Sequence, residues 1–124
     1  MANKFTIVPM TLHIGAEIRG LDLSKPITPE IAESVNAALI KWKVIFFKGQ
    51  NLSHAGQVSF ARSMGEPTIG HAVFGHDPDY PEIYSVAKFR TAQTHRTAKM
   101  QRPWTGWHTD LTAAINPPKA SILR

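Results

Sequence analysis

The sequence predicts an α+β fold, and three observations carry that expectation. Short stretches of alternating or continuous apolar character read as strands, two longer stretches with helical apolar spacing each start at a capping residue, and no repeat or low-complexity linker separates them. At 124 residues the chain suits one ordinary domain and is too short for two of typical size. The expected order is strand, helix, strand, helix, long loop, strand, loop, strand.

In IGAEIRG, Ile14, Ala16 and Ile18 alternate with Glu17 and Arg19, the period-two pattern of a strand with one buried face. A helix follows, with Thr28 as cap, Pro29 at the first helical position and Glu30 at the positive end of the dipole. Ile31, Val35, Leu39 and Trp42 then form an apolar stripe running to about Lys43, most simply core. VIFF, residues 44–47, is a short continuous apolar run closed by Lys48 and Gly49, as expected of a strand covered on both faces. Ser53 caps a second helix through about Met64, where Phe60 and Met64 stack one turn apart and Gly65 ends the element. Residues 65–82, dense in Gly, Pro, His and Asp, read as loop; IYSVAKF, residues 83–89, alternates as a strand. The final KASILR also reads as a strand, whose partner and covering layer must come from elsewhere.

Composition narrows the functional classes. The 43% hydrophobic content is that of a soluble globular protein, and no apolar run approaches the roughly 20 residues needed to span a bilayer. The start, MANKFTIVPM, lacks the apolar core and cleavage site of a secretory signal, and the absence of cysteine removes disulfides and thiolate metal sites. A cytoplasmic location and a metal held by nitrogen and oxygen are the matching expectations. The net charge of +5 comes from one loop: residues 88–103 carry Lys88, Arg90, Arg96, Lys99 and Arg102 with no acid, and the remainder balances nine basic against nine acidic residues. That loop reads either as a solvated lid or as a device steering anions toward a site. Nucleic acid is not an expected partner, because the loop lacks interleaved aromatics and no nucleic-acid motif accompanies it.

WTGWHTDLTAAINPP, residues 104–118, holds His108 and Asp110 two positions apart. On a strand, residues i and i+2 share a face about 7 Å apart along the chain, so an imidazole and a carboxylate would converge on one point. They would supply two of the three ligands of a two-histidine, one-carboxylate triad, which leaves octahedral iron open for cosubstrate and oxygen. Taken alone the pair is a weak signal, since it recurs by chance and more often marks a surface histidine beside a carboxylate.

The wider string decides between these. Trp107-His108-Thr109-Asp110, Thr112, Pro117-Pro118 and Ala120-Ser121-Ile122-Leu123, with IGAEIRGLDL, VIFFKGQ and MGEP upstream, resemble the taurine dioxygenase family of Fe(II)- and 2-oxoglutarate-dependent oxygenases. The resemblance implies the N-terminal part of a double-stranded β-helix, or jelly-roll, with two helices and the first barrel strands, residues 1–124 belonging to one oxygenase domain. It implies His108 and Asp110 as catalytic iron ligands, Fe(II) as metal, 2-oxoglutarate and O₂ as cosubstrates, and hydroxylation of a small anionic organic substrate. In sulfonate- and sulfate-ester-cleaving members, hydroxylation beside the heteroatom releases an aldehyde with sulfite or sulfate.

By the same resemblance His71, in GHAVFGH at residues 70–76, takes the place of the histidine that hydrogen-bonds the substrate's sulfonate. Phe74 stands where taurine-specific members have tyrosine, and Trp104 falls near a substrate-contacting asparagine of theirs. Both departures remove hydrogen-bonding capacity and add apolar surface, which favours an alkyl sulfate ester or a more apolar sulfonate over taurine. Trp104 fits a core or lid role as well. The family's third ligand, a histidine, and its 2-oxoglutarate-binding arginine lie far downstream, beyond Arg124, so the 124 residues alone are expected to bind iron weakly without turnover. Two alternatives stand beside this: a non-catalytic remnant held by self-association through an exposed edge, as a homo-oligomer, and a zinc site completed by His71 or His76.

Overall fold

A computed structural model describes residues 5–70, 75–86, 109, 111 and 114–124. These fall into two compact units, one through Pro67 and one from Thr68 onward. The first unit contains β1 (Thr6–Pro9), β2 (Ala16–Arg19), α1 (Pro29–Trp42), β3 (Ile45–Phe46) and α2 (His54–Met64). Its three-stranded sheet has the order β1-β2-β3. β1 and β2 are antiparallel with Ile7 opposite Ile18, and β2 and β3 are parallel with Ala16 opposite Ile45 and Glu17 opposite Phe46. A parallel pair cannot be closed by a tight turn, and α1 is the crossover that joins these two strands.

Both expected helices are present with their caps. The Thr28 hydroxyl accepts from the Ile31 amide at 3.4 Å, and the Ser53 hydroxyl accepts from the Gly56 amide at 3.1 Å, each satisfying a donor of the first turn. α1 stops at Trp42 because Lys43 adopts a left-handed conformation, φ 65°, and returns its amide to the Leu39 carbonyl at 2.7 Å. The buried stripe is Ile31, Val35 and Ala38, with Leu39 and Trp42 half-buried. It packs with Ile18, Leu21, Leu23 and Phe60 into one core, flanked by Phe5, Ile27, Ile45, Phe47, Leu52 and Met64. The Phe47 and Phe60 rings meet edge to face at 5.5 Å, tying β3's end to α2.

Four expectations change. β1 was not anticipated; its Thr-Ile-Val run is strand-forming, and Pro9 is tolerated at the end of an edge strand. β3 is covered on one face rather than both. Ile45 and Phe47 pack toward the helices, whereas Phe46 is 43% exposed on the side shared with Glu17, Arg19 and Lys48. Residues 83–86 form no strand, and residues 87–89 of that expected element lie outside the described ones. Residues 119–124 are likewise without strand structure: no ladder pairs with them among the described residues, and Leu123 is 81% exposed.

Candidate functional site

Of the residues that the sequence singles out for chemistry, His71, Phe74, Trp104, His108 and Asp110 all lie outside the described residues, as does the basic loop at 88–103. Their described neighbours define the frame on either side of two of these stretches.

Around residues 71–74 the frame is tight. The Gly70 amide donates to the Pro81 carbonyl at 2.7 Å, and the Asp77 amide donates to the Ile83 carbonyl at 2.7 Å. One carboxylate oxygen of Asp77 accepts from the Asp79 and Tyr80 amides, each at 3.0 Å, an Asx turn that bends the chain back. Gly70 lies so close to the returning chain that a Cβ there would stand 2.7 Å from the His76 Cβ and 2.8 Å from the Gly75 carbonyl oxygen. Gly75 itself sits at φ 75°, a conformation that only glycine adopts without strain. The two described ends bracketing residues 71–74 therefore meet at a neck. None of Gly70, Gly75 and Asp77 was picked out from sequence, although two glycines around a short segment followed by Asp-Pro-Asp is a visible turn signal. His76, a candidate zinc ligand, is exposed, with Nδ1 2.9 Å from the Asp77 carbonyl oxygen.

Beside the His108 and Asp110 positions, Thr109 and Leu111 are exposed. Leu111 holds φ 51°, and the Ala114 amide donates to its carbonyl at 3.1 Å. A left-handed leucine costs on the order of 1–2 kcal/mol, and regular strand geometry does not pass through it. No group of three or more His, Cys, Asp or Glu that could hold a metal occurs among the described residues.

The described ionic cluster lies elsewhere, on the outer face of the sheet. The Glu17 carboxylate accepts from the Arg19 guanidinium at 2.8 Å and faces the Lys48 ammonium at 3.4 Å. The Arg19 hydrogen bond, with both positive charges, holds Glu17 below the ordinary carboxylate range against the opposing effect of burial. This ties β2 to the segment after β3. With two cations of the same chain already on one carboxylate oxygen, the cluster has the character of a structural clasp.

The sequence matches the family described as Taurine catabolism dioxygenase TauD, TfdA family over residues 6–124. The chain belongs to this family. As a TauD/TfdA member it is 38% identical over 124 residues to an alpha-ketoglutarate-dependent sulfate ester dioxygenase of Pseudomonas putida, a match covering 99% of this chain and 38% of that protein. It is 32% identical over 116 residues to an alkylsulfatase of Acinetobacter baylyi, covering 93% of this chain and 33% of the relative. Its fold superposes on the crystal structure of a taurine dioxygenase from Burkholderia xenovorans with a TM-score of 0.73 at 45% identity, covering 92% of this chain and 37% of that one. The TauD/TfdA chain thus spans about a third of the length of the relatives it matches. The family is described as one of dioxygenases and the Pseudomonas putida relative as alpha-ketoglutarate-dependent, and iron follows from the family. No helix among the described residues is long and apolar enough to cross a membrane.

Proposed function

We propose that residues 1–124 are the N-terminal portion of a single jelly-roll oxygenase domain that hydroxylates an alkyl sulfate ester or related sulfonate. The observation that carries the reading is the family match through residues 6–124, which includes the Trp-His-Thr-Asp string, with a sulfate ester dioxygenase among the relatives. The donor set fits ferrous iron: a neutral imidazole and a carboxylate are the nitrogen and oxygen ligands it accepts, and cysteine is absent. His108 and Asp110 would hold the metal, which with 2-oxoglutarate and O₂ supplies the oxidation of an unactivated C–H bond. His71 would donate a hydrogen bond to an anionic sulfate or sulfonate oxygen, fixing which carbon is presented. Phe74 and Trp104 would line the substrate with apolar surface, favouring an alkyl chain over the ammonium of taurine.

These 124 residues supply two of three metal ligands, so on this reading they bind Fe(II) weakly and do not turn over alone. A cytoplasmic location and a homo-oligomer belong to the same proposal; the outer edge of β3, unpaired among the described residues, is compatible with assembly. The test is an anaerobic Fe(II) titration of the chain and of His108→Ala and Asp110→Ala. Loss of affinity in both variants is expected, and unchanged affinity in both refutes the ligand assignment. In any longer protein carrying this sequence, sulfate release from hexyl sulfate should require 2-oxoglutarate, and strong preference for taurine would refute the roles given to Phe74 and Trp104.

A further inference from the structure

We infer that the outward face of α1, centred on Ala37, is a self-complementary surface on which a second copy of this chain packs with its own α1 antiparallel. This interface belongs to the homo-oligomer proposed above and rests on that reading.

α1 turns its Ile31, Val35 and Ala38 stripe to the core and leaves Glu30, Glu33, Ser34, Ala37, Ile40 and Lys41 exposed. At about 100° per residue these positions share one arc of roughly 120°, and Ala37 lies at its middle. The chemistry along that arc is ordered. Glu33 stands four residues before Ala37 and Lys41 four residues after, while Ser34 and Ile40 stand three before and three after. Two such helices related by a twofold axis at Ala37 therefore bring each Glu33 opposite the second copy's Lys41, about 6 Å either side of the axis at 1.5 Å of rise per residue. A parallel arrangement would instead set glutamate against glutamate and lysine against lysine.

The other positions suit the same pairing. Ala37 adds only a methyl group at the crossing point, which lets the two backbones approach closely. Ile40 is 61% exposed and gains cover against the second copy's Ser34, whose hydroxyl is already turned back to the Glu30 carbonyl at 2.9 Å and needs no partner across the interface. Both charges are available. Among the described residues neither Glu33 nor Lys41 takes part in an ion pair, and the Lys41 ammonium rests 5.2 Å from the centroid of the Trp42 ring, a contact that supplies no counter-charge. The open edge of β3, by contrast, is two residues long, too short to carry an interface by itself.

Because the surface is isologous, each substitution acts twice in a dimer, and exchanging the two charges preserves the match. Sedimentation equilibrium of the 124-residue chain at low ionic strength, over a range of concentrations, tests the assignment. The parent is expected to dimerise reversibly. Glu33→Lys and Lys41→Glu should each weaken the dimer at least tenfold, Ala37→Arg should do the same by holding the helices apart, and the double variant Glu33→Lys with Lys41→Glu should dimerise like the parent. Far-UV circular dichroism and the urea midpoint should stay at parent values in all four, since every changed side chain is exposed and none is a poor helix former. A parent dimer indifferent to the three single substitutions places the interface elsewhere and overturns the inference while the homo-oligomer stands. Single variants that dissociate without recovery in the double variant overturn the antiparallel pairing. A parent that remains monomeric overturns the homo-oligomer and this interface together, and leaves the α1 face to a partner of another kind.

Discussion

Gln50 tests what fastens the segment between β2 and α1 to the rest of the first unit. Its side-chain oxygen accepts from the Leu23 amide at 2.9 Å, and its side-chain nitrogen donates to the Leu21 carbonyl at 3.1 Å and to the Lys48 carbonyl at 3.4 Å. Leu21 and Leu23 are only 3% and 6% exposed, so their peptide groups have little water to turn to. At roughly 0.5–1.5 kcal/mol net for each hydrogen bond, Gln50→Ala should destabilise the fold by about 2 kcal/mol. With a urea slope of roughly 2 kcal/mol/M, the unfolding midpoint should fall by about 1 M at unchanged slope. Gln50→Glu sharpens the test. Its carboxylate still accepts from Leu23 but meets the Leu21 carbonyl as a second acceptor, which raises the folded-state pKa of the new carboxyl. The protonated form can donate, so Gln50→Glu should gain stability relative to Gln50→Ala as pH falls through that raised value. A midpoint shift below about 0.2 M for Gln50→Ala would show that water replaces the clamp and refute the reasoning.

Three further outcomes are expected. Val35 is fully buried in α1's core stripe, and Val35→Ala should cost about 2 kcal/mol from lost burial plus the cavity, lowering the calorimetric melting temperature by on the order of 10 °C. Ser53→Ala, which removes the acceptor for the Gly56 amide, should cost about 1 kcal/mol in urea unfolding, while Ser53→Asp should be nearly neutral. Glu17 is held below its ordinary pKa first by the Arg19 hydrogen bond, so its contribution is complete above the unfolded-state carboxyl pKa and is lost as pH falls through the folded-state value. Glu17→Gln should therefore show a shallower acid-side loss of stability than the parent in unfolding measured from pH 7 downward, and parallel profiles would contradict the clasp.

What was legible in the sequence was chiefly local. Thr28-Pro29-Glu30 and Ser53 announce helix starts because capping needs only a hydroxyl and a nearby amide, and both hydroxyls accept the first-turn amides as expected. Elements defined by a distant partner were harder. VIFF reads as doubly covered because continuous apolar character is shared by any strand in an apolar setting, and nothing in those four residues says that a Glu17 clasp occupies one side. KASILR has strand-forming residues but no ladder among the described residues, and strand structure exists only in the pairing. At the candidate site the family was legible from one string, now matched through residues 6–124, while His108 and Asp110 lie outside the described residues and their ligand roles stand as a proposal. The closeness of the neck at Gly70 was not legible, because its constraint comes from the His76 Cβ and the carbonyl oxygens of Gly75 and Pro81 brought up by the turning backbone, which no side-chain pattern encodes.

The parallel pairing of β2 with β3 also sets an order of events in folding. β1 and β2 are joined by a short turn in which the Met10 amide donates to the Gly15 carbonyl at 2.9 Å, so that hairpin is a local contact closed early. Ala16 can meet Ile45 only after the whole of α1 has been traversed, and the entropy of that closure is unrewarded until Val35 and Ala38 dock on the sheet. α1 and β3 are thereby coupled: β3 can close on β2 only across the span that α1 occupies, so the docking of the helix and the arrival of the last strand are expected to be one cooperative event.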